Sequence, residues 1–145
     1  MIKFFYLVTF EYLVHEDYKS EFDLGVFSSL KLAKQKISVS SELVGFNSYS
    51  IDNFKITKFG LNFDTNIKKK SDIILYCVTH EYEDVNSEFT YWNIFDYCST
   101  IEKAKAHVEY LQKHSKIGKK YPNNFEIVEV KTDNFNSWSE GFGKL

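Results

Sequence analysis

The chain has 145 residues, 43% hydrophobic and 18% aromatic with fourteen Phe and ten Tyr, which excludes a disordered linker and supplies a sizeable core. A net charge of −2 excludes the broad cationic surface of a general nucleic-acid binder. All 18 basic residues are Lys, so no guanidinium fork is present to hold a phosphate, a carboxylate or a guanine edge in bidentate fashion.

Residues 3 to 13 alternate Phe4, Tyr6, Val8, Phe10, Tyr12 with Phe5, Leu7, Thr9, Glu11 at the two-residue period of a strand. His15 to Glu21 reads as a polar hairpin loop and Phe22 to Phe27 as a second strand pairing back antiparallel. Ser28 and Ser29 suit a helix N-cap, and Leu30, Ala33 and Ile37 then line one face of a helix to about Leu43, with Gly45 as its stop. Asn53 to Phe59 is a third strand. Asn66 to Asp72, with three adjacent lysines, is the candidate linker.

The plan then repeats. Tyr76-Cys77-Val78-Thr79-His80-Glu81-Tyr82 restates Tyr6-Leu7-Val8-Thr9-Phe10-Glu11-Tyr12 at an offset of 70. Ile73 to Tyr82 is the first strand of this copy, Glu83 to Ser87 its loop and Glu88 to Cys98 its second strand. Ser99-Thr100-Ile101-Glu102 has capping-box spacing, with Glu102 expected to reach the Ser99 amide. Ile101, Ala104, Val108 and Leu111 then make the core face of a helix to about His114. Tyr121-Pro122-Asn123-Asn124 is a turn, and Asn124-Phe125-Glu126-Ile127 returns against Asn53-Phe54-Lys55-Ile56 at an offset of 71. The expected fold is therefore α+β, with two tandem strand-strand-helix-strand repeats, residues 1–66 and 67–145, in a pseudo-twofold globular body of mainly antiparallel sheet. The apolar faces opposite the helices are expected either to bury each other or to extend one continuous sheet.

The second repeat ends in Phe135-Asn136-Ser137-Trp138-Ser139-Glu140-Gly141-Phe142. With Val78 to Tyr82 and Asn124 to Ile127, it resembles an uncharacterised family of small bacterial domains that end in Trp-(Ser/Thr)-Glu-Gly-Phe. The likeness spans residues 73 to 142 and fades over 4 to 64, where Phe10 stands in place of His80 and Asn62-Phe63-Asp64 leads to no such terminus. It implies a fold and no activity.

Candidate chemistry is sparse. His107 and His114 lie two helical turns apart, roughly 10 Å in rise, against the i, i+4 spacing of a zinc pair. His80 shares a strand face with Tyr76, Val78 and Tyr82, whereas Glu81 points the other way, so a hydrogen-bonded or edge histidine is expected rather than an acid-base pair. Cys98, at a helix entrance, and Cys77 read as thiols of an intracellular protein, Cys98 being packed. No cofactor, metal site or catalytic residue is expected, and no phosphate loop or paired-carboxylate signature appears.

Both hairpins are acidic, which gives either a negative rim for a cationic partner or ordinary solvated loops. Tyr91, Trp92, Phe95 and Tyr97 crowd one strand, as interface anchors or as core. The expected function is a cytoplasmic, non-enzymatic module that binds a basic protein, most concretely an immunity or antitoxin protein against a toxin such as a nuclease. Glu16, Asp17, Tyr18, Glu83, Asp84, Glu88 and Trp92 are the expected partner-binding residues. No nucleic-acid or membrane partner is expected, and the chain is expected to be a monomer or a weak homodimer. The competing readings are a small-molecule regulator with a pocket near His80 and Tyr82, and a hydrolase using His80 and Cys98.

Overall fold

The computed structural model describes residues 1–16, 18–64, 73–84, 86 and 89–143, without the side chain of Phe89. The elements run β1 (Ile2–His15), β2 (Tyr18–Phe27), α1 (Leu30–Ser40), β3 (Phe54–Asn62), β4 (Ile74–Asp84), β5 (Phe89–Cys98), α2 (Ile101–His114), α3 (Lys116–Lys120) and β6 (Phe125–Lys131). Two short 3-10 turns, Phe46–Ser48 and Ile51–Asn53, join α1 to β3. The fold is α+β, as the repeat pattern predicts. Its strands form two separate three-stranded sheets, ordered β2-β1-β3 and β5-β4-β6, and not one continuous sheet. The expected linker, Asn66 to Asp72, lies outside the described residues.

Each sheet places the first strand of its repeat at the centre. β1 pairs antiparallel with both β2 and β3, and β4 pairs antiparallel with β5. On the other side of β4, Thr132 N–H donates to the Ile73 carbonyl at 2.9 Å and Glu81 N–H to the Asn124 carbonyl at 3.3 Å, a pairing that also runs antiparallel. The two copies share one irregularity at matched positions, and the first has a second slip between Leu13 and His15. The register slips between Val8 and Thr9 in one and between Val78 and Thr79 in the other. Each slip leaves one extra residue, Leu24 or Phe95, as a β-bulge, and Gly25 beside the first takes φ +137°, a conformation that favours glycine. The offset of 70 along the first strands becomes 71 across the hairpin, where Glu83 and Thr90 stand one residue further apart in sequence than Leu13 and Lys19. In both copies an Asn side chain then clips the third strand to the first: Asn53 Nδ2 to the Glu11 carbonyl at 3.0 Å, Asn124 Nδ2 to the Glu81 carbonyl at 2.9 Å.

Several local boundaries differ from expectation. β2 starts at Tyr18, so residues 18 to 21 belong to a strand rather than to the expected loop. α1 stops at Ser40, three residues before Leu43, where the Ser41 hydroxyl turns back to the Ser38 carbonyl at 2.8 Å. Gly45 then opens a 3-10 turn. α2 is capped by Thr100, whose Oγ1 accepts the Lys103 amide at 3.1 Å, so the expected box between Ser99 and Glu102 does not form. Thr100 is the residue in extended conformation, and three positions after it stands Lys103, whose Nζ reaches Ser99 Oγ at 3.1 Å.

The chain divides into two compact units, Met1–Ile73 with Lys131–Leu145, and Ile74–Val130. Residues 131–145, which the sequence assigns to the second repeat, thus belong with the first unit. Val8, Phe10, Leu24, Phe27, Ala33, Phe46 and Phe54 form that unit's buried core, and the tail packs over it. Phe142 meets Phe46 and Phe22 with ring centroids 4.8 Å apart, Trp138 stacks on Phe22 at 4.2 Å, and Phe135 abuts Phe27 at 5.1 Å. Phe142 N–H donates to the Val44 carbonyl at 2.8 Å. The backbones approach so closely that a Cβ on Gly45 would collide with the Phe142 carbonyl and one on Gly141 with the Val44 carbonyl. Lys36, 1% exposed, donates to the Phe135 carbonyl at 2.9 Å and the Ser137 carbonyl at 2.7 Å, and burial holds its pKa below the ordinary lysine value. Asp133 takes the Ser28 amide and hydroxyl at 2.7 Å each. In the second unit, Val78, Cys98, Ala104 and Leu111 make the core, with Phe95, Val108, Phe125 and Ile127 around it.

Candidate functional site

Strand alternation decides which side chains of β4 a partner can reach. Tyr76, Val78, His80 and Tyr82 face the helix, and Thr79, Glu81 and Glu83 face away. On that helix-free side β4 forms the floor of a groove of about 480 Å³, with Trp92 of β5 along one wall and Asn123, Asn124 and Glu126 along the other. Trp92 is directly opposite Glu81 across the strands and is 53% exposed. Among the described residues, no cation pairs with the carboxylates of Glu81, Glu83 or Glu126.

The first unit carries the same groove, lined at matched positions by Thr9, Glu11, Leu13, Lys19, Glu21, Asn53 and Lys55, with a volume of about 530 Å³. Its electrostatics differ. Lys19 Nζ lies 3.0 Å from Glu11, and Lys55 occupies the position that Glu126 holds in the second unit. Register equates Lys19, opposite Leu13, with Thr90, opposite Glu83. Among the described residues, the second groove therefore has three carboxylates and no lysine.

Of the residues expected to bind a partner, Glu83 and Trp92 are brought together in this groove. Asp84, at the end of β4, accepts the Asn86 amide at 3.0 Å. In the first unit Glu16 is exposed at the hairpin tip and Tyr18, 46% exposed, packs on the His15 ring at 5.8 Å. Asp17 and Glu88 lie outside the described residues. Asn124 and Glu126 escape a sequence reading focused on the hairpins, because they reach the groove from a strand some forty residues later. The polar alternation Thr79, Glu81, Glu83 was the available signal for an open face.

The other candidates are structural in their surroundings. His80 is fully buried, with Nε2 donating to the Tyr121 carbonyl at 2.9 Å and its ring 4.5 Å from Phe125, the counterpart of the contact between Phe10 and Phe54 at 4.8 Å. That bond places the proton on Nε2, and Nδ1 finds no partner among the described residues. Cys98 pairs across from Tyr76, four residues along β4 from His80, roughly 13 Å away at strand rise. Burial, reinforced by Asp96 and opposed by Lys103, raises the Cys98 thiol pKa and disfavours the thiolate a nucleophile needs. Tyr110 lies between the rings of His107 and His114, at 6.3 Å and 4.6 Å. Among the described residues no three His, Cys, Asp or Glu side chains gather as a metal set, and no helix is long and apolar enough to cross a membrane.

No protein-family model, curated protein or solved structure matches the chain.

Proposed function

We propose that this chain is a non-enzymatic module that binds a basic protein in the cytoplasm, most concretely as an immunity or antitoxin protein that blocks a basic toxin such as a nuclease. One observation carries the reading: a half-exposed Trp92 stands on an open sheet face beside Glu81, Glu83 and Glu126. Tyr and Trp dominate the binding energy of protein interfaces, and flanking unpaired carboxylates attract a cationic partner and exclude an anionic one. The sheet face is broad and open, which suits a protein surface better than a small enclosed ligand.

The test uses the full chain as bait for its native cell extract, followed by purification of the retained protein and measurement of its association rate across salt concentrations. A basic protein should be retained, and Glu83→Lys with Glu126→Lys should slow its association and flatten the salt dependence. Retention of only acidic proteins, or rates unchanged by the reversals, would overturn the proposal.

A further inference from the structure

The two grooves are copies of one design, and the first shows what its central carboxylate holds. Glu11 takes the ammonium of Lys19 at 3.0 Å, a side chain delivered by the neighbouring strand β2. In the second unit the matching carboxylate, Glu81, is retained, but the strand delivers Thr90 where Lys19 would be and Trp92 where Glu21 would be. Leu13 is replaced by Glu83 and Lys55 by Glu126, so the seat has gained negative charge while losing its own cation.

Resting on the protein-binding reading above, we infer that the second groove seats a lysine side chain of a partner polypeptide. The ammonium lies between Glu81 and Glu83, where the internal lysine lies in the first unit, and its alkyl stem lies along the indole of Trp92. The chemistry suits each part of that side chain. Carboxylates accept charge-assisted hydrogen bonds from the ammonium, and an indole face attracts a cation and covers methylenes. Asn124 holds the far wall by its bond to the Glu81 carbonyl, so the seat is built before a partner arrives.

The probe is the peptide acetyl-Gly-Lys-Gly-Lys-Gly-amide, titrated into the full 15N-labelled chain, with Trp92→Phe used to assign the Trp92 indole signal. The indole N–H of Trp92 and the amides of Glu81 and Glu83 should shift together. Glu81→Gln should weaken the effect about tenfold, as loss of a charge-assisted bond does, and the peptide acetylated on both lysines should produce none. Unchanged Trp92 signals, an equal response in Glu81→Gln, or shifts centred on Glu11 and Lys19 would overturn the inference. The two readings also fail separately. A basic protein that binds wild type and Glu81→Gln alike overturns the lysine seat alone, whereas a lysine peptide engaged at Trp92 without any basic protein partner overturns the protein-binding reading alone.

Discussion

Replacing Phe142 by Ala tests how the tail is held to the first unit. Its ring meets Phe22 and Phe46 at 4.8 Å, Tyr12 at 5.2 Å and Phe10 at 5.7 Å, two of these contacts edge-on. Truncating a fully buried Phe costs about 3–5 kcal/mol. Phe142 is only partly buried and its backbone bond to Val44 survives the change, so about 2–3 kcal/mol is the expected loss. At about 2.1 cal/mol/K of unfolding entropy per residue, that lowers Tm by about 7–10 °C. Calorimetry gives the shift, and hydrogen exchange locates it. Protection should fall first in the tail, β2 and α1, while residues 74–130 keep theirs, and Phe142→Leu should recover much of the loss. A Tm shift below about 2 °C, or early loss of protection in residues 74–130, would refute the packing argument.

Lys36 gives a pH signature. Because burial lowers its native pKa, the unfolded chain holds this proton more tightly, so stability from this group rises with pH between the lowered value and 10.5. Lys36→Met should remove that rise, and denaturation curves that stay parallel for wild type and variant across this range would contradict it. The matched Asn clips give another check. Asn53→Ala and Asn124→Ala each delete one side-chain bond to the central strand and should each cost about 1 kcal/mol in urea denaturation. A cost at one site and none at the other would mean that the two clips are not equivalent.

The doubled plan was legible because its signals are local. Alternation in Phe4 to Tyr12, the Ala33 and Ala104 helix faces and the matched Asn-Phe pairs each operate over a few residues, and both copies repeat them. What was hidden depends on distant partners. Nothing in Phe135 to Phe142 says which unit will accept its rings, and the choice follows from features of the first unit: Gly45 admits the tail backbone, and Lys36 binds its carbonyls. The helix cap falls one residue later than expected because Ser99 and Thr100 both carry a capping hydroxyl and the backbone conformation selects Thr100. The candidate groove was half legible. Glu83 and Trp92 stand out by charge and aromaticity, but the contrast between the grooves appears only once register sets Lys19 against Thr90.

That contrast is tested most directly by exchanging these two residues. Thr90→Lys gives the second groove the internal lysine of the first, and Lys19→Thr removes it from the first. The decisive quantity is the affinity of the lysine peptide for each variant, read at the Trp92 indole and at the Glu11 amide. Binding at Trp92 should be lost in Thr90→Lys, and a new response should appear at Glu11 in Lys19→Thr. Unaltered peptide affinity at Trp92 in Thr90→Lys would contradict the claim that an unpaired Glu81 is what the partner recognises.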